Sequence, residues 1–159
     1  MNEKKYYLTS QKLKELKKEY KDLLYLEHVK TRDEAPKFFE SEEVSSEYLT
    51  YQEDISFLRA RITELEDVLK NHEIIKIPPK NRQKEVGLGA KVRVKVDGET
   101  DELTILGTLE ANPSVGIISN ESPVGRALLG RREGEEIQIS SPISVTYKIL
   151  KIKYPRHLS

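Results

Sequence analysis

"EYLTYQEDISFLRARITELEDVL", residues 47–69, carries an apolar side chain at alternating steps of three and four: Tyr48, Tyr51, Ile55, Leu58, Ile62, Leu65 and Leu69. That spacing tracks the 3.6-residue turn and lays one narrow apolar stripe along a helix. Glutamates, arginines and aspartates fill the outer positions. A stripe this narrow is the seam of a coiled coil, and a seam needs a partner. Upstream, Leu13, Leu16, Tyr20 and Leu23 repeat the pattern, thickened by Leu24 and Leu26. Thr9 is a good N-cap there, with Leu8 and Leu13 at the positions of a hydrophobic staple. The stripe fades after Val29, and Pro36 disfavours helix at Ala35. Two seams of matched length, each roughly 20 to 25 residues, predict an antiparallel hairpin about 30 to 38 Å long. The other arrangement that satisfies them is a dimer in which each seam meets another chain.

The composition agrees with an elongated molecule. Of the 159 residues, 34% are charged and 36% hydrophobic, a small apolar share for filling a single ball. Net charge is zero, but its distribution is uneven. Residues 1–32 carry nine Lys/Arg against five Asp/Glu, while 33–54 carry eight acids against Lys37 alone. A basic stem leading to an acidic patch fits a charged partner, and equally a solvated helix face. The absence of cysteine excludes disulfides, thiolate metal sites and a cysteine nucleophile. No apolar run reaches membrane-spanning length, and MNEKKYYLTS lacks a signal peptide's apolar stretch, so the expectation is a cytoplasmic protein without a membrane partner.

Beyond Asn71, which can close the second helix, "IIKIPPKNRQKE" (74–85) cannot be helical through Pro78 and Pro79. The period then changes to two. Val92, Val94 and Val96 alternate with Lys91, Arg93 and Lys95, and Asp97-Gly98 supplies a hairpin turn. Further strands are expected at 103–109, 115–119, 136–140 and 144–153. Ser122, Pro123 and Gly130 read as the N-cap, first residue and stop of a short helix. The predicted fold class is therefore α+β in two domains. A helical hairpin over 1–75 has an acidic tip near 33–47, a Pro-rich basic linker covers 76–86, and a mostly antiparallel sheet with one short helix covers 87–159.

Chemistry is sparse. His28, His72 and His157 have no companions at metal-ligand spacing, and Gly87-Leu88-Gly89 precedes a strand, unlike a phosphate loop. No nucleophile, base and orienting group are visible together, so the chain reads as no enzyme in its own right. The acidic tip stands apart. Glu40, Glu42 and Glu43, with Asp33, Glu34 and Glu47 nearby, offer the hard oxygen ligands that suit Mg²⁺. They could complete a metal site half built by another protein, or simply keep a loop soluble and favour the next helix's N-terminus. Phe38 and Phe39 are costly to expose there and point to contact with a partner.

The hairpin with its acidic tip, Glu47-Tyr48 opening the second seam, the segment "SNESPVGRALLGRREGEEIQI" (119–139) and the ending "VTYKILKIKY" (145–154) together resemble the Gre family of bacterial transcript cleavage factors. The resemblance covers nearly the whole chain. It implies an FKBP-like C-terminal domain that docks on RNA polymerase, with Ser122, Pro123, Arg126 and Gly130 in the docking signature. It also implies a coiled coil that enters the secondary channel, where tip carboxylates help hold a second Mg²⁺, shared with the polymerase and not bound stably alone, and so stimulate cleavage of backtracked RNA. The basic side chains Lys14, Lys17, Lys18 and Lys21 would then face the extruded RNA, or form an ordinary solvated face. A monomer is expected.

The tip departs from the family pattern. An Asp and a Glu three apart usually precede the Glu-Tyr pair, and without a gap those positions here are Ser41 and Val44. A pair at the same spacing, Glu40 and Glu43, lies one residue earlier. On a rigid helix that shift would turn a side chain by about 100°; in a loop the backbone can absorb it. Either Glu40 and Glu43 keep the metal-holding role with Glu42, or the role is lost and the chain is a channel regulator without cleavage. An isomerase reading of the FKBP-like domain is disfavoured, since 87–159 holds only Tyr147 and Tyr154 as aromatics.

Overall fold

The computed structural model describes residues 3–33, 35–36, 39–40, 43–140 and 142–158, with the backbone alone at 39, 40 and 43. In chain order the elements are strand β1 (Tyr6–Leu8), helix α1 (Ser10–Arg32), the two-residue strands β2 (Phe39–Glu40) and β3 (Glu43–Val44), and helix α2 (Ser46–Lys70). Strands β4 (His72–Ile74), β5 (Lys91–Val96), β6 (Glu99–Leu106) and β7 (Ile117–Ser119) follow. Helix α3 (Pro123–Leu128) and strands β8 (Glu136–Ser140) and β9 (Ser144–Lys153) complete the chain. The α+β fold class read from the sequence is the one adopted.

The chain separates into two compact units: Leu13–Asn71, and Met1–Lys12 together with His72–Ser159. The sequence places the boundary at residue 75; the fold places it differently. Strand β1 pairs in parallel with β4, Tyr6 opposite His72 and Leu8 opposite Ile74. The first twelve residues therefore belong with the C-terminal sheet. Leu8 is fully buried, and Thr9 is 1% exposed. The Thr9 backbone N–H and hydroxyl both donate to the Glu110 carboxylate, at 2.8 and 2.5 Å. The same hydroxyl caps the first turn of α1 by accepting from the Lys12 N–H. Within the stretch expected as a linker, 76–86, Val86 is buried.

In the unit Leu13–Asn71, α1 and α2 close on each other within one chain. Leu16, Ile55, Leu58, Ile62, Leu65 and Val68 are buried, with Tyr20, Leu23 and Tyr51 packed beside the Ile55–Leu58–Ile62 cluster. The seam ends on Val68 where a strict heptad would use Leu69, as a 3.6-residue turn drifts against a 3.5 repeat. Each buried Leu or Ile contributes on the order of 1.5 to 3 kcal/mol. The flanking ion pairs, Arg61 to Glu19 (2.7 Å), Arg59 to Glu27 (2.6 Å) and Lys30 to Asp54 (4.0 Å), are part-exposed and contribute about 0 to 1 kcal/mol each. Burial stabilises the hairpin; the ion pairs, advancing along α1 as they recede along α2, follow its antiparallel register.

In the other unit the main sheet has the order β7-β6-β5-β9-β8, antiparallel except for β6 with β7. The β5–β6 turn uses Asp97 and Gly98, both at positive φ (49° and 83°), the geometry a two-residue hairpin demands. The core beneath is formed by Val92, Val94, Ile105 and Ile149, all fully buried, and by Leu128 of α3. Two glycines are required by close approach. A Cβ at Gly107 would lie 2.0 Å from the Tyr7 carbonyl oxygen, and one at Gly125 2.0 Å from that of Ser119.

Candidate functional site

The hairpin tip is built between two helix ends. The Asp33 N–H donates to the Val29 carbonyl at 2.9 Å as α1 finishes. Ser45, 6% exposed, caps α2 in an extended conformation and accepts from the Tyr48 N–H at 3.4 Å. Glu47 stands exposed in the first turn of α2, where a carboxylate is favoured by the helix macrodipole. Below it, Tyr48 and Tyr51 lie with ring centroids 6.1 Å apart, and the Gln52 amide donates to the Tyr48 hydroxyl at 2.8 Å.

Between the helix ends four described residues are paired. Strands β2 and β3 form a minimal antiparallel ladder in which Phe39 pairs with Val44 and Glu40 pairs with Glu43. The shifted acids noted in the sequence are thus register partners, whereas Val44 faces Phe39 in the ladder. Glu34, Phe38, Ser41 and Glu42 lie outside the described residues, as do the side chains of Phe39, Glu40 and Glu43. Among the described residues no group of three or more His, Asp or Glu is arranged to hold a metal.

On α1, Lys14, Lys17, Lys18 and Lys21 are exposed at spacings that place them along one helix face. Lys18 pairs with Asp22 at 2.6 Å. The other three carry no ion pair among the described residues. On the opposite side of the accounting, Tyr20 donates to Glu66 at 3.0 Å, and that hydrogen bond raises the tyrosine above its ordinary pKa.

The segment 119–139, which holds the docking signature, shows how much of a motif can be structural. The Ser122 hydroxyl donates to the Ser119 carbonyl (2.7 Å) and accepts from the Gly125 N–H (3.1 Å), capping α3. Pro123 occupies the first helical position, where no N–H is needed. Gly130 takes a positive φ of 80° and donates to the Val86 carbonyl at 2.8 Å. Arg126 alone of the four is exposed without a local task in the described contacts. Arg132 is engaged with Glu85 at 2.7 Å, which holds its guanidinium still more firmly charged, and Arg131 reaches Glu135 at 3.6 Å. Sequence reasoning missed Gly125; a glycine inside a short helix was the available signal of close backbone approach.

Comparison with known proteins is direct. The profile described as "Transcription elongation factor, GreA/GreB, C-term" matches residues 80–154. A protein named Transcription elongation factor GreA from Clostridium acetobutylicum is 39% identical over 160 residues, covering 95% of this chain and 98% of that one. One of the same name from Thermomicrobium roseum is 46% identical over 95 residues, 60% of this chain and 61% of its own length. Among solved structures, GreA factor homolog 1 (Gfh1) of Thermus thermophilus aligns over 94% of this chain and 99% of its own at 22% identity, with a TM-score of 0.41.

Proposed function

Because the chain belongs to the GreA/GreB family of transcription elongation factors, we propose that it binds RNA polymerase and lends the tip acids Glu40 and Glu43 to the polymerase active centre. The docking surface is the sheet unit with Arg126 beside the Ser122-Pro123 cap. The hairpin enters the secondary channel, and cleavage of the 3′ end of backtracked RNA is stimulated there. The nuclease is the polymerase; this chain is an accessory factor that works as a monomer in the cytoplasm. Lys14, Lys17 and Lys21 face the extruded RNA and add salt-dependent, sequence-independent attraction to its phosphates. Phe38 and Phe39 meet the channel wall.

The observation that carries this reading is the register of the tip, in which Glu40 and Glu43 are opposed across the β2–β3 ladder. Two carboxylate residues on adjacent strands are a donor set of the right hardness for Mg²⁺, which takes one or two carboxylates and keeps its remaining positions for water and phosphate. A second ion in such a site activates water and stabilises the leaving oxygen. The competing reading, a channel regulator without cleavage, is favoured by Ser41 and Val44 at the usual acidic positions.

The test is RNA cleavage in a stalled, backtracked complex of the cognate polymerase at confirmed occupancy, comparing the wild type with Glu40→Gln/Glu43→Gln. Acceleration by the wild type alone supports the proposal. A wild type that slows nucleotide addition and never accelerates cleavage replaces it with the regulator.

A further inference from the structure

The outward face of the main sheet holds a feature that neither the core nor the tip uses. Strands β5 and β9 are antiparallel neighbours at its centre, and their register opposes like charges three times in succession. Lys91 lies opposite Lys153, Arg93 opposite Lys151, and Lys95 opposite Lys148. All six side chains are exposed. A register shift between Arg93 and Val94 helps produce this arrangement: it turns both Leu150 and Lys151 outward while Ile149 and Ile152 stay in the core. Two carboxylates on the outer neighbours partly offset the rows: Glu102, opposite Arg93 in the β5–β6 register, lies 3.2 Å from Lys91, and Glu136, opposite Lys148 in the β8–β9 register, lies 4.0 Å from it. Nearby Glu133 is engaged with the Ile152 N–H. Arg93, Lys95, Lys151 and Lys153 have no ion pair among the described residues.

Opposed like charges destabilise a sheet, by a few tenths of a kcal/mol to about 1 kcal/mol per pair. Three in a row, at the centre and not at a frayed edge, are a cost without structural return. We propose that this face binds the phosphate backbone of duplex DNA. Alternate residues of a strand are about 6.8 Å apart and neighbouring strands about 4.8 Å, so the cations form a double row at roughly the spacing of successive phosphates. The rows contain no aromatic side chain, and single-strand sites rely on aromatic stacking. A protein partner would call for a dry apolar centre depleted of charge, and Leu150 alone does not supply one. The contact is to phosphates only, so it positions the chain without reading sequence. This inference rests on the sheet and not on the tip, and it stands whether or not Glu40 and Glu43 support cleavage.

The experiment is fluorescence anisotropy of a labelled 20-base-pair duplex titrated with the full chain across a salt series, without polymerase. Compared with it are Arg93→Gln/Lys95→Gln/Lys151→Gln and, as a control, the helix variant Lys14→Gln/Lys17→Gln/Lys21→Gln. For about four phosphate contacts the log–log salt slope of the wild type is near −3.6. The sheet variant should bind more than about tenfold more weakly at low salt, with the slope reduced by about 2.7, while the helix variant keeps most of the affinity. Relief of like-charge repulsion against Lys148 and within the Arg93–Lys151 pair, offset by loss of the cation opposite Glu102, should leave the sheet variant melting close to the wild-type temperature, so weak binding cannot be mistaken for misfolding. Equal binding by wild type and sheet variant overturns the proposal, as does loss in the helix variant alone or no binding at low salt. Equally tight binding of an acidic polypeptide of matched charge also overturns it, in favour of a general polyanion surface.

Discussion

The hairpin and the sheet unit are held by different kinds of order. Along the hairpin, stability is spread over a one-dimensional seam in which Ile55, Leu58 and Ile62 retain 6 to 8% exposure. In the sheet unit Val92, Val94, Ile105 and Ile149 have none, and at Gly107 and Gly125 a Cβ would lie 2.0 Å from a carbonyl oxygen. A seam can lose one rung and keep the rest. A close-packed unit with long-range register cannot yield locally, because its neighbours are already at contact.

The sharpest way to break the comparison is Gly125→Ala. Its added carbon collides with the Ser119 carbonyl, so the variant should lose about 3 kcal/mol or more and hydrogen-exchange protection throughout the sheet unit. Gly98→Ala, strained only by its positive φ with nothing within 4 Å, should cost about 1 kcal/mol. In the hairpin, Leu65→Ala removes the most enclosed seam residue, 1% exposed, for about 2.5 kcal/mol, and Leu58→Ala somewhat less; both are read from the helical circular dichroism in urea. If these two hairpin losses match the Gly125 loss, the distinction drawn here fails. Glu110→Ala leaves the buried Thr9 N–H and O–H donors without their acceptor and should cost about 2 kcal/mol, with β1 exchanging faster than β5.

Smaller effects sharpen the comparison. A double-mutant cycle on Arg61 and Glu19 should give about 0.5 kcal/mol, since both side chains are some 40% exposed and solvent screens the pair despite its two-pronged geometry. Tyr154 donates to the Glu85 carbonyl at 2.7 Å. Burial first, and then the charge of Glu85, raise its hydroxyl above the ordinary value of 10.0, against an opposing backbone hydrogen bond from Gly87. A raised folded-state pKa means that the stabilising contribution is complete below about pH 10 and is lost as pH climbs through the folded value. Tyr154→Phe should therefore flatten the alkaline limb of a stability–pH curve, leaving a residual slope from Tyr20. An unchanged limb would show that Tyr154 is more open than its surroundings indicate.

The legible parts were those written in local chemistry. The seam positions, the Thr9 cap, the Asp97-Gly98 turn and the Ser122-Pro123 opening of α3 each follow from a few neighbouring residues. The tip was legible only as composition. Sequence spacing pointed to Glu40 and Glu43 at an offset of three, and only the ladder makes them partners. The cap at Ser45 went unread because several serines and glutamates around it could each have opened the helix.

By itself, then, the sequence determined a helical hairpin, an alternating sheet, their order and the acids between the helices, because period and turn chemistry act over a few residues. Tertiary structure alone decided that β1 joins β4 across sixty residues, that Glu110 holds Thr9, and that the β5 and β9 cations lie face to face. Strands of three residues carry too little pattern to announce a partner, and register across a sheet is settled only when the cores on its buried face are packed.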